Sequence, residues 1–273
     1  MDEAITRCVI DNKKNLDANI TIVSLHELMS DFEISDEISD AGTCIKWIKG
    51  SEQHISNNDH FLLNRVLYVP NTLFSNFAKI DRNYAQRELE AYMGFSFNAF
   101  AGIGNQLANG ACVDSISLPQ QWKRVAKELE INVPNYYWGP YSFNHLDNGG
   151  RLVYSKIYNF LNWSITSKPT EDNHVFCFEK PQGKPVFILS VGSEQLISSD
   201  VSLPIELKDK IKILAGRINK FFNHFISEIL IFVDGANLNF GCINPEIIKS
   251  NKNKDFDCFV CHNLVKEFYR CMN

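Results

Sequence analysis

From Lys208 to Phe225 apolar residues return every three or four positions: Ile211, Leu214, Ile218, Phe221, Phe222 and Phe225. That spacing predicts a helix with one face committed to a core. His224, near its C-terminal end, suits the negative pole of the helix dipole. Directly after it the pattern changes to two apolar runs, Ile226–Val233 and Leu238–Ile243, on either side of Asp234-Gly235. Asp-Gly between strand-like runs is a hairpin signal. Along a strand side chains alternate, so Glu228 shares a face with Leu230 and Phe232, and Cys242 shares one with Asn244. A three-residue loop, Asp234-Gly235-Ala236, sets Glu228 across from Cys242 and puts carboxylate, thiol and amide on one face. A two-residue turn sends Glu228 to the other face, because a slip of one residue inverts every side chain. The polar end of this hairpin is either a site or the frayed edge of a core element.

The earlier pattern is less regular. Arg7–Ile10 reads as a short lead-in strand, and Ile20–Leu25 as a buried strand by its β-branched content. Ser30–Asp40 is acidic and reads as a solvated loop or helix face; its spacing is not that of a calcium loop. Phe61–Val69 predicts a strand with Asn64-Arg65 at its middle, followed by helical spacing at Tyr84, Glu88 and Tyr92. Arg65 offers a guanidinium fork for a carboxylate or phosphate, or for a salt bridge to Asp81 or Glu88. The glycines of Ile103–Ala111 do not fit a phosphate-binding loop. Ser117 caps a helix with Pro119 just inside and Trp122, Val125, Ala126 and Leu129 as its apolar stripe. Gly149-Gly150 reads as a tight turn, and His174–Phe178 with Val186–Val191 as a second hairpin. Strands and helices mixed in this way give an α/β class.

Composition narrows the functional classes. The chain has 273 residues, 45% hydrophobic and 22% charged, which is enough for one large or several small domains with a real core. A formal charge of −5 argues against a nucleic-acid surface. No run approaches the roughly 18 apolar residues of a membrane span. The first residues lack the order of a secretory signal, so a cytoplasmic setting with reduced cysteines is expected. Cys258-x-x-Cys261-His262 has the spacing of a haem attachment site, and with Cys271 it carries four potential zinc ligands. The same cysteines with Phe259, Leu264 and Phe268 form a buried helical stripe, the reading favoured here.

The final hairpin also resembles that of the ATP-grasp enzymes. There an acidic residue opens the hairpin, a DG-like pair turns it, and Glu-x-Asn-Pro closes it. Glu228 matches the first acidic position and Asn244-Pro245 the closing Asn-Pro; Cys242 stands where the family has its bridging Glu. The helix ending in Ile131-Asn132-Val133-Pro134 is similar to the family's helix-to-Pro turn. The resemblance covers roughly residues 59–246. It implies an ATP-grasp-like α/β fold: a Rossmann-like N-terminal α/β domain (residues 1–117) followed by two α+β subdomains (118–178 and 179–273). It implies ATP and Mg²⁺ as cofactors, with Glu228 and Asn244 as metal ligands and Lys156, Glu179 and Lys180 at the nucleotide; Lys156 and, by its guanidinium fork, Arg65 are the candidate catalytic residues. The implied activity is ATP-dependent ligation of a carboxylate to an amine on a peptide or natural-product precursor, with a metal site weakened at Cys242. The alternative is a degenerate relative that binds a peptide or partner protein, and a homodimer is compatible with either. A thiol is a poor replacement for a hard oxygen ligand of magnesium.

Overall fold

The computed structural model describes residues 4–15, 20–40, 42–51, 53–66, 69–102, 116–140, 152–154, 174–179, 181–198 and 202–272. Its elements are α1 (Ala4–Asn12), α2 (Leu25–Asp31), β1 (Glu33–Ser39), β2 (Gly42–Lys49), β3 (Gln53–Ser56), β4 (Phe61–Leu62), α3 (Arg82–Ala99), β5 (Ala101–Gly102), α4 (Leu118–Arg124), β6 (Tyr136–Pro140), β7 (Leu152–Tyr154), β8 (His174–Glu179), β9 (Lys184–Val191), β10 (Glu194–Ile197), α5 (Ile205–Phe221), β11 (Ile226–Asp234), β12 (Asn237–Asn244) and α6 (Phe256–Met272).

The long amphipathic stretch forms α5, whose Ile211, Ala215 and Ile218 are buried. It stops four residues short of Phe225, because Asn223 adopts φ +54 and closes the helix. The His224 amide donates to the Asn219 carbonyl and the Asn223 amide to that of Lys220, a Schellman arrangement. His224 therefore lies past the helix end. α5 packs on an antiparallel sheet of order β10-β9-β11-β12, with Ser227 of β11 donating to Asn219 of α5 at 2.7 Å. The central strands carry Val186, Ile188, Ile229 and Ile231 at zero exposure, and α1 and α6 cover Leu189, Val191 and Ile226. A second antiparallel sheet, β6-β8-β7, packs Phe176 and Phe178 around Trp122 of α4. Among the described residues, the layer before α4 is an antiparallel β1-β2-β3 meander plus one short parallel pair, β4 with β5.

Several expectations for this earlier layer are corrected. Arg7–Ile10 is not a strand; it lies inside α1, whose Ile5, Cys8 and Val9 form the buried stripe of a helix. Ile20–Leu25 is not a strand either. Ser24 caps α2 by accepting from the Glu27 amide, and this local capping outweighs the β-branched run before it. The acidic stretch is neither loop nor helix over most of its length, because Glu33–Ser39 pairs with β2 as an exposed edge strand. Its charges suit such an edge, where they discourage pairing with other chains. Of the strand expected over Phe61–Val69, only the two-residue β4 forms among the described residues.

Candidate functional site

The polar end of the last hairpin is built by a turn and a bulge together. Asp234 pairs with Asn237, so the loop is the two residues Gly235 and Ala236. By itself that loop would turn Glu228 away from Cys242. Between Ile231↔Phe240 and Leu230↔Cys242, however, the register shifts by one residue, with Gly241 as the extra residue. Beyond the bulge Glu228 is opposite Asn244, and Cys242 is opposite Leu230, one step along the same face. Carboxylate, thiol and amide thus share a face, with Glu228 facing the amide rather than the thiol. A Cβ on Gly241 would lie 2.8 Å from Leu230 Cγ and 3.0 Å from its carbonyl oxygen, so the close approach of the strands needs glycine.

The free edge of β12 is covered by α4 and the segment after it. Gln121 imitates a neighbouring strand: its Nε2 donates to the Ile243 carbonyl at 3.1 Å, and its Oε1 accepts from the Ile243 amide at 3.0 Å. Trp122 Nε1 donates to the Gly241 carbonyl at 2.6 Å, and the Phe240 amide donates to that of Asn132 at 2.8 Å. These contacts hold the bulge in place and satisfy an edge that would otherwise be exposed to pairing.

Glu228 is 2% exposed, and its carboxylate is fully engaged by the backbone that follows the hairpin. Oε2 accepts from the Ile248 and Lys249 amides, each at 3.1 Å, while Oε1 accepts from Lys249 at 3.0 Å and from Ser250. Three amides replace the water that the charge has lost, which is how a buried carboxylate offsets its desolvation penalty. Cys242 is 5% exposed, and burial pushes its thiol well above the usual value of 9.0, with the Glu228 charge adding to the shift. It is therefore a protonated, unreactive thiol at neutral pH. Asn244 Oδ1 accepts from the Glu246 amide at 3.0 Å, and Arg65 Nη2 donates to the Pro245 carbonyl at 2.8 Å. Arg65 thus reaches the same end of the hairpin, through a main-chain oxygen. Glu179 lies on the other sheet, where its exposed carboxylate accepts from Asn135 Nδ2 at 3.0 Å. Lys156 and Lys180 lie outside the described residues.

Magnesium takes several oxygen ligands with free lone pairs. Here the Glu228 oxygens are taken by amides, the Asn244 oxygen closes a turn, and the third position is a buried thiol. Among the described residues no group of three His, Cys, Asp or Glu side chains is placed to hold a metal. As arranged, these residues do not fit a magnesium site. The spacing of Glu228 and Asn244 was visible in the sequence; Gln121, Trp122 and the 248–250 amides were not. The amides carry no side-chain signal, and Gln121 and Trp122 read only as parts of an amphipathic helix.

The described residues have the fold of the ATP-grasp ligases. The chain superposes on the macrocyclase MdnC from Microcystis aeruginosa MRC, solved with precursor peptide MdnA, with a TM-score of 0.71 at 12% identity, covering 97% of this chain and 96% of that one. The ATP-grasp ligase PsnB with its minimal precursor gives 0.70 at 14% identity, over 98% and 96% of the two chains. A RiPP-associated ATP-grasp ligase from Chryseobacterium gregarium, in complex with ADP and a leader and core peptide, gives 0.54 at 11% identity, over 96% and 92%. Sequence comparison finds no matching protein family and no matching curated protein.

Proposed function

We propose that this protein is a degenerate ATP-grasp relative that binds a peptide partner and does not turn over ATP. One observation carries this reading: Glu228, the acidic residue that the resemblance assigns to magnesium, spends its lone pairs on three main-chain amides. The thiol of Cys242, matched by the resemblance to the family's bridging Glu and kept protonated by burial, supports it. Losing one group that stabilises developing charge in an active site slows catalysis by roughly 10²–10³-fold. The peptide partner is inferred from the neighbours, several of which were solved with precursor peptides.

A second reading is an active ATP-dependent carboxylate–amine ligase acting on a peptide. Its support is that this chain matches nearly the full length of peptide ligases, some of them solved with Mg and ADP. Under it the roles expected from the sequence would stand: Glu228 and Asn244 at Mg²⁺, Lys156, Glu179 and Lys180 at ATP, and Arg65 and Lys156 at the reacting groups. Isothermal titration calorimetry with Mg-ATP separates the two. The first reading expects no binding heat at millimolar nucleotide; saturable binding with a magnesium requirement overturns it in favour of the ligase.

A further inference from the structure

The packing of α1 on α6 brings together sulfurs that no reading of the nucleotide site uses. Cys8, 2% exposed, sits on the buried face of α1 beside half-buried Cys261 of α6. Their Sγ atoms are 3.5 Å apart, across 253 residues of sequence. The Cys8 thiol also points to the Asp257 carbonyl at 3.6 Å, so the pair lies one turn from the start of α6. Cys258, on that turn, is exposed, as is His262. The Cys258/Cys261/His262 spacing that suggested zinc does not assemble a metal site among the described residues. It assembles a thiol pair instead, with Cys8 as the member that sequence spacing could not supply.

We propose that Cys8 and Cys261 form a redox-sensitive pair that closes into a disulfide and staples α1 to α6. A disulfide holds its sulfurs at about 2.05 Å, so closure requires an approach of about 1.5 Å, within reach of small side-chain and helix adjustments. The oxidant is a low-molecular-weight disulfide such as oxidised glutathione. The more accessible Cys261, as thiolate, attacks one sulfur of the oxidant and expels the other as a thiolate, leaving a mixed disulfide. The Cys8 thiolate then attacks Cys261 Sγ and expels the second small thiolate. Two protein thiols are oxidised, one small disulfide is reduced to two thiols, and the two protons pass to the leaving thiolates. Burial pushes both thiols above their ordinary value, while the hydrogen bond with Cys8 draws that of Cys261 partly back. Closure is accordingly slow at neutral pH and accelerates as pH rises. Because α6 starts at Phe256, shortly after the Ser250–Lys252 turn, the staple also restrains the segment that clasps Glu228.

The test is oxidation of the full chain with glutathione disulfide, then alkylation, peptide mapping and thermal melting. The expected product is a Cys8–Cys261 cross-link that raises the melting temperature by roughly 10 °C, as closure of a long loop should. It persists in Cys258→Ser and is absent from both Cys8→Ser and Cys261→Ala; should Cys8→Ser fail to fold, Cys261→Ala carries the test. Oxidation that stops at a single glutathione adduct, a link joining Cys258 to Cys261, or a cross-link without added stability overturns the proposal. The inference does not rest on whether ATP is bound.

Discussion

Two sheets of this molecule treat their polar residues in opposite ways. In β11 eight of nine positions are buried, so Glu228 lies inside the protein and must be matched by other groups. In β1 six of seven positions are exposed, and Glu33, Asp36 and Glu37 keep their hydration. The same residue type is thus an internal clasp in one sheet and a solvated edge charge in the other. A carboxylate in a buried strand is informative because nothing but specific partners makes it affordable; the partners here are the amides of residues 248–250.

The largest expected contrast follows from that difference. Glu228→Ala leaves three amides without their acceptor and should destabilise the protein by roughly 3–5 kcal/mol. Asp36→Ala removes only an exposed contact with the Tyr92 hydroxyl, at 3.2 Å, and should change stability by about 0.5 kcal/mol or less. Urea unfolding of both variants measures the contrast. Similar losses in the two would show that Glu228 is hydrated rather than clasped.

The two sheets also differ in how far their sequences disclosed them. The period of α5 and the Asp-Gly hairpin are local patterns that agree with their buried surroundings, so both elements were legible. The face shared by Glu228, Cys242 and Asn244 was legible only as one of two alternatives. It is decided by a bulge at Gly241, and the bulge depends on Trp122, 119 residues from Gly241 in sequence, and on Gln121, 122 residues from its partner Ile243. In the β1–β3 region local signals misled. The β-branched run before Ser24 lost to a capping interaction, and the acidic run became a strand because β2 offers it a ladder, with Ile45 and Trp47 turned to the core. Charge alone does not separate an exposed strand from an exposed loop. The ring of amides around Glu228 has no side-chain signature at all.

The tryptophans at the centre of each layer provide a second contrast. Trp122 packs against Tyr136, Phe176 and Phe178 and donates to the Gly241 carbonyl; Trp47 packs against Phe97 and Phe100, but its buried Nε1 has no partner among the described residues. Replacement by Phe removes similar area at both sites. At Trp122 it also strands a carbonyl, whereas at Trp47 it removes an unsatisfied donor. Trp122→Phe should therefore cost roughly 2–3 kcal/mol more than Trp47→Phe in chemical denaturation. Equal losses would mean that the bulge is not held by the indole.

The smallest contrast is in pH dependence, where the two layers act at opposite ends of the scale. Burial raises the Cys242 thiol in the folded state, so its contribution is fully present below about pH 9. Above that the unfolded thiol loses its proton while the folded one keeps it, and stability falls by about 1.4 kcal/mol for each further pH unit. Cys242→Val should remove that share of the alkaline slope. In the other layer Asp31 is lowered from 3.8 by its hydrogen bond from Ser30 and then by that from Lys49, which also pairs with Glu27 at 2.8 Å. Its contribution is present above pH 3.8 and lost as pH falls through the depressed value. Asp31 and Lys49 sit in water, so salt screens this acid-side effect, and Asp31→Asn should alter it only slightly. Melting curves across pH at low and high salt test both limbs. An alkaline slope unchanged by Cys242→Val would place that thiol in contact with solvent, and a clasped Glu228 beside a hydrated sulfur would no longer be a consistent arrangement.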